Sequence, residues 1–475
     1  MTARGRFLQT YLTFSVFVLG FAVHVCLAQT SGNADALSPS QKLARDVFRE
    51  LIEINTTVNV GSTKAAEAMA ARLKAAGFPE SDIQLLGPRP QNKNLVVRYR
   101  GKGALRPILL IGHLDVVEAR REDWSMDPFT FLEKEGYFYG RGTSDMKCDD
   151  ADIVANFIRL KNEGFVPDRD LILALTEDEE TGDANGVQWL LANRRDLIDA
   201  EFAINLEGGS GDLQHSKPIL VEVQTSEKVF VSFQLEVKNE GGHSSLPVKE
   251  NAIYRLAAGL IRLSQFDFPV RLNETTRTFF ERIAGKETGQ TKSDMLAILK
   301  TPLDTAAADR LAASSPYYNA MMRTTWVPTL LSGGHAENAL PQSARATVNC
   351  RMLPDDTPEN ILATFHRILA DSQIIVTQLA EARPAPLSPL RDDVMHNVEK
   401  LTASMWPGVP VTPVMSTGAT DGKFLRQAGI PVYGVSGMFF DIDDIRAHGK
   451  DERIGVKEFY DGVVFMYQFI KLMTQ

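Results

Sequence analysis

The residues able to do chemistry in this chain fall into short clusters, each bounded by glycine or by an apolar run. The first is Gly112-His113-Leu114-Asp115, directly after a β-rich stretch ending at Ile111. A neutral imidazole is the commonest protein ligand for zinc, and a carboxylate two residues on can accept its other ring N–H. The same pair could equally be a satisfied His and Asp in a capped loop. The second cluster, Gly140-Arg141-Gly142-Thr143-Ser144-Asp145-Met146-Lys147, presents Asp145 on a glycine-flexed turn before a helix. Its two carboxylate oxygens can bridge two cations, although Asp at such a position also caps helices. The third, Thr176-Glu177-Asp178-Glu179-Glu180-Thr181-Gly182, abuts an apolar strand. A solvated charge run is the ordinary explanation. At a sheet edge, however, its self-repulsion calls for something cationic, and adjacent Glu179 and Glu180 could divide metal binding and proton transfer between them.

Two further clusters complete the set. Leu206-Glu207-Gly208-Gly209 again puts an acid at a strand terminus, and Ala447-His448-Gly449 supplies a second loop imidazole. Of the eight His, His113, His243 and His448 adjoin glycine. Two of these join the carboxylates in a balanced ligand set. His215, His335, His366 and His396 are read as surface or core residues.

The elements that must position these clusters alternate along the chain. Apolar positions recur at helical spacing over 39–55 and 62–76, then Gly87-Pro88-Arg89-Pro90 reads as a loop before β-rich runs at 94–99 and 107–111. A helix to about Asn162, a buried strand over 170–175, a helix over 187–193 and a strand over 202–206 follow. This alternation predicts an α/β main domain with a largely parallel mixed sheet flanked by helices, whose strand ends are where open sheets place ligands.

From about Ser226 the pattern restarts, with strands over 229–238, 344–352 and 373–379 and helices over 251–263 and 357–370. These form a second, smaller α/β unit. The polar segment 270–326 within it reads as a helical insertion, and Arg383-Pro384-Ala385-Pro386 as the hinge back. A strand over 432–435 and an amphipathic helix over 456–473 return to the first unit. The expected organisation is thus a main domain of 29–225 and 386–475 with an inserted lid domain of 226–385.

Composition narrows the function. With 475 residues, 44% apolar and 23% charged, the chain is globular rather than disordered, and its net charge of −9 without a basic run excludes nucleic acid as a partner. Arg4 and Arg6 precede an apolar run over 11–25 and the small-residue pattern Cys26-Leu27-Ala28, the order of a secretory signal peptide over 1–28. The run falls short of the roughly 20 residues that span a bilayer. Export to the periplasm or the extracellular space is therefore expected, with no stable membrane span after cleavage. Cys148 and Cys350 then remain, as buried thiols rather than a disulfide framework.

In order, H-x-D, G-R-G-x-x-D-M-K, D-E-E-x-G, E-G, G-G-H-S and a late H-G resemble the co-catalytic zinc metallohydrolases that include aminoacylase, bacterial glutamate carboxypeptidase and succinyl-diaminopimelate desuccinylase. The resemblance covers nearly the whole mature chain. It implies one zinc held by His113, Asp145 and Glu207 and another by Asp145, Glu180 and His448, manganese or cobalt being possible in their place. It further implies Asp115 as the group orienting His113, Glu179 as catalytic base, and His243 on the inserted domain as an oxyanion donor, often reaching a partner subunit's cleft. A homodimer through the lid follows from that. Arg351 resembles the family arginine that clamps a substrate carboxylate, with a surface ion pair as the plain alternative. Asn338 and Thr420 are expected to line the same pocket. Cys148 replaces a small glycine common in the family, and Glu118-Ala119 a common proline, without touching a ligand position.

The expected function is an exported zinc-dependent metallopeptidase, a carboxypeptidase or dipeptidase that releases an amino acid with a free carboxylate. The alternative is an N-acyl-amino-acid deacylase with the same site. A non-catalytic peptide-binding scaffold is more remote, because no ligand or base position is lost.

Overall fold

The computed structural model describes residues 37–475; the expected signal peptide lies outside the described residues. Strand Leu105–His113 shows why a sheet is buried here. Ile108 and Leu110 face one hydrophobic core, Leu109 and Ile111 the other. A strand with apolar side chains on both faces must be covered on both, as parallel sheets are. Helices Pro39–Glu53, Thr63–Ala75, Lys147–Asn162, Asp392–Met405 and Val456–Met473 supply side chains to the first core. Gly186–Asn193, Arg195–Ile198 and Gly422–Gln427 supply the second.

The large sheet has ten strands and is mixed, as expected. Leu105–His113 runs parallel to Arg169–Thr176 on one side and to Phe202–Asn205 on the other, and Val432–Gly434 continues parallel beyond. Val411–Ser416 lies parallel to Lys217–Glu227, while Asn92–Tyr99 is antiparallel to Arg169–Thr176. One difference from the sequence reading concerns Gly87 to Pro90. Ile83–Arg89 is a strand paired with Asn92–Tyr99, so the expected loop is largely strand. Its position at the sheet edge explains the tolerance, since Pro88 needs no ladder bond on its open side.

The smaller sheet is four-stranded and antiparallel, in the order Thr325–Gly333, Ser343–Met352, Val229–Lys238, Ile375–Gln378. Val229, Val231, Phe233, Leu235 and Val237 alternate inward onto helices Ala252–Ser264 and Pro358–Leu369. Strand Thr325–Gly333, unread in the sequence, forms the open edge of this sheet; its residues beyond Trp326 are exposed, so no alternation of buried side chains marks it.

The segment read as a helical insertion is four helices, Glu274–Ala284, Gly289–Ile298, Thr305–Ser314 and Pro316–Met322. Phe279, Phe280, Met295 and Leu311 share a core with Val414 and Met415 of the large sheet. In packing, this segment therefore goes with the large sheet rather than the small one. Cys148 and Cys350 are buried and unpaired. Among the described residues no helix is long and apolar enough to cross a membrane.

Candidate metal centre

Three adjacent parallel strands end side by side, and each carries an acid or imidazole at or just past its C-terminal end. His113 closes Leu105–His113, Glu179 and Glu180 follow Arg169–Thr176, and Glu207 lies two residues beyond Phe202–Asn205. Two loops bring the remaining groups. Gly142 turns the Asp145 loop at φ +89°, where a Cβ would also meet the Lys147 and Val116 side chains at 2.9 and 3.0 Å. The His448 loop is tied to it by a buried ion pair 2.5 Å long between Arg141 and Glu452. Glu452 also accepts the backbone N–H of Gly142, Ser144 and Asp145 at 3.1, 2.7 and 3.0 Å, and Arg141 donates to the Gly449 carbonyl at 3.0 Å. With its acceptors filled in this way, a buried pair holds two loops in register instead of leaving a stranded charge.

Asp145 stands at the centre. Its Oδ1 lies 3.2 Å from His113 Nε2, and its Oδ2 lies 3.1 Å from His448 Nε2, which is also 3.1 Å from Glu180 Oε1. The two carboxylate oxygens thus face two different imidazoles, and ligand atoms gather into two groups, His113 with Asp145 and Glu207, and Asp145 with Glu180 and His448. His113 Nε2 and Asp145 Oδ1 are buried without a hydrogen-bond partner despite their short separation. They are aimed at a common space rather than at each other. Buried donor atoms left in this state, two imidazole nitrogens and several carboxylate oxygens, fit a pair of divalent cations with a shared carboxylate.

Asp115 acts differently from the expectation. The His113 Nδ1–H donates to the backbone oxygen of Asp115 at 3.0 Å, while the side-chain Oδ1 stands off at 3.6 Å. A carbonyl can only accept, so this bond places the proton on Nδ1 and turns the Nε2 lone pair to the centre. The Asp115 carboxylate instead accepts the backbone N–H of Glu179 and Glu180 at 3.1 and 3.0 Å and fixes the acidic turn.

The electrostatics match the crowding. Burial pushes His113 down, but Asp115, Asp145 and Glu207 prevail and hold it well above the usual imidazole range. His448 is raised to about 10, first by hydrogen bonds to Asp145 and Glu180. Burial lifts Glu207 well above the carboxylate range, with Glu179 adding to it. Glu179 is raised to about 8, chiefly by burial; Asp421 and Glu180 reinforce this while His113 and Lys423 oppose it. So many acids in one recess are stable only with positive charge among them.

The remaining sequence candidates lie elsewhere. His243 and Asn338 are exposed neighbours on a two-stranded ribbon, Gly242–His243 with Ala339–Leu340, where the Asn338 carbonyl accepts the Ser244 N–H. The His243 ring nitrogen Nδ1 meets Ser245 Oγ at 2.7 Å rather than any group of the acidic recess. Arg351 lies on the small sheet, half-buried with its guanidinium over the Phe230 ring at 4.9 Å. Among the described residues no carboxylate comes within ion-pair distance of it. Thr420 corrects the sequence reading. It is buried, and both its N–H and its hydroxyl donate to Glu227, at 3.1 and 2.9 Å, so it anchors an internal acid instead of lining a pocket. Its neighbour Asp421, given no role in the sequence, faces the recess and accepts from Asn185 and Thr176.

Comparison with known proteins fits this geometry. Residues 109–472 match the model of peptidase family M20/M25/M40. The chain belongs to that family. It is 31% identical over 379 residues to the human N-fatty-acyl-amino acid synthase/hydrolase PM20D1, covering 78% of this chain and 74% of that protein. It is 25% identical over 454 residues to carboxypeptidase S of Saccharomyces cerevisiae, covering 83% and 76%. Among solved structures, the M20 family metallo-carboxypeptidase Sso-CP2 from Sulfolobus solfataricus superposes with a TM-score of 0.68 at 16% identity, covering 90% of this chain and 98% of that one. Human carnosine dipeptidase 1 gives 0.65 at 16% identity, covering 91% and 96%. The family's chemistry makes this chain a metallopeptidase-class hydrolase of peptide or N-acyl-amino-acid amides.

Proposed function

We propose that the chain hydrolyses an amide bond and releases an amino acid with a free carboxylate, using two divalent ions that share Asp145. His113, Asp145 and Glu207 would hold one ion, and Asp145, Glu180 and His448 the other. Zinc suits this mixed nitrogen and oxygen set, with manganese or cobalt as possible replacements. When bound, such a pair polarises a carbonyl and lowers the pKa of water towards about 7. The observation that carries the reading is Asp145 itself, with each oxygen facing a different imidazole.

The protein groups have separable tasks. Glu179 belongs to neither ligand group, and its backbone is pinned by Asp115, so its carboxylate is free to take a proton from water and pass it to the departing amine. Arg351, a half-buried cation without an acidic partner among the described residues, would clamp the substrate carboxylate. His243 and Asn338, together on the exposed ribbon, would reach the substrate when the small domain closes, His243 stabilising the developing oxyanion. The carboxypeptidase or dipeptidase reading rests on the M20 structures, and the deacylase reading on the human relative.

In the test, purified protein is incubated with dipeptides and with N-acyl amino acids, and free amino acid is measured. Release should vanish with a chelator and return with added zinc. Release unaffected by exhaustive chelation would sink the reading.

A homodimer through the lid is part of the same proposal. Val327, Leu330 and Leu331 are 54%, 68% and 71% exposed on the open edge strand, beside exposed Tyr254 and Ile261 of helix Ala252–Ser264. An apolar open edge invites pairing with a second copy. Sedimentation should give a dimer for the native protein and a monomer for Leu330→Asp with Leu331→Asp; equal masses for the two would refute the interface.

A further inference from the structure

Next to the metal centre a cavity of about 450 Å³ opens, sharing Asp145 and Glu207 with it. Leu206, Phe439 and Ile454 form a buried floor, and Tyr137, Phe440 and the partly exposed Ile442 line the wall and rim. Its size is within the roughly 300–1,000 Å³ of small-molecule sites. We infer that this cavity holds the acyl half of the substrate, and that the acyl half is an extended apolar chain. The inference rests on the amide-hydrolase reading and names the substrate class it leaves open.

Charge decides which half of the substrate enters. Besides Asp145 and Glu207, the cavity is lined by Asp149 and Asp212, so a free carboxylate would be repelled. The two arginines in its lining do not counter this. Arg446 and Arg453 are both spent on Asp444, at 2.7 and 2.6 Å. The carboxylate end must therefore lie on the opposite side of the scissile bond, towards the small domain and its unpaired Arg351. The neutral half is left for the cavity, and the apolar floor favours hydrocarbon over a peptide with further amides to satisfy. A residual alternative, a peptide whose α-ammonium pairs with Asp212, predicts the opposite substrate preference.

Segment 439–446 has a second role in this arrangement. It carries the wall residues Phe440 and Ile442 and runs directly into His448, so the acyl wall and a metal-ligand loop are one stretch of chain. Chain length is then read right beside the reacting amide.

The test is a series of N-acyl leucines from acetyl to hexadecanoyl, assayed with the zinc-loaded full chain alongside leucine dipeptides with free amino termini. Each methylene buried should raise kcat/KM about fourfold until the cavity is full, after which the gain stops. Calorimetric binding of the same series to Glu179→Gln should show the same slope. Ile442→Asp should lower the dodecanoyl-to-acetyl ratio of kcat/KM at least tenfold, Ile442→Leu should keep it, and Phe440→Ala should move the plateau to longer chains. A flat length profile in an enzyme that still releases leucine overturns this inference and leaves the hydrolase reading standing, as does a preference for free-ammonium dipeptides. No release from any member of either series overturns both.

Discussion

Glu179→Ala is expected to lower kcat by roughly 10²–10⁴-fold, the usual contribution of a positioned general base, while divalent-ion content per chain stays at the native value. The separation of these two readouts follows from geometry. Glu179 stands outside both groups of candidate ligands, yet its backbone N–H is held by Asp115 at 3.1 Å on the same turn as Glu180. Its carboxyl is raised to about 8, mainly by burial, so it is a far stronger base than an exposed glutamate. Steady-state kinetics with atomic emission on the same sample will check this. Loss of an ion along with activity would make Glu179 a ligand instead, and activity within a factor of ten of native would move the base elsewhere.

Asp145→Ala should have the larger effect, reducing turnover to background and depleting both ions together. Its Oδ1 and Oδ2 face His113 and His448 at 3.2 and 3.1 Å, so no other single residue serves both groups. Glu180→Gln is the control. It touches only the group containing His448, and should weaken one ion while the other remains. The stoichiometry of zinc uptake by titration calorimetry distinguishes the two cases. If Asp145→Ala still takes up one ion at native affinity, the shared-carboxylate arrangement fails.

The residues gathered at the centre were all visible as sequence clusters because each lies at the end of an apolar β-rich run or beside glycine. His113, Glu179 and Glu180 were placed by a strand pattern whose observed ends differ by only a residue or two. The lid strands were legible for a similar reason, since Val229–Lys238 alternates without a break. Strand Thr325–Gly333 was not legible, because an edge whose outer face is exposed carries no alternation of buried side chains. Arg141 and Glu452 lay inside quoted motifs without a role. Their pairing joins positions 311 apart, and no local spacing encodes such a contact.

Local chemistry in the sequence determined which residue types could bind cations, which strand termini carried them, and that two α/β units alternate along the chain. Tertiary structure alone decided three things. Asp145 turns one oxygen to each imidazole, the backbone of Asp115 rather than its carboxylate orients His113, and Thr420 is consumed by Glu227. The physical reason is that a hydrogen bond or a shared ligand depends on direction at about 3 Å. That direction is fixed only when distant strands and loops pack together.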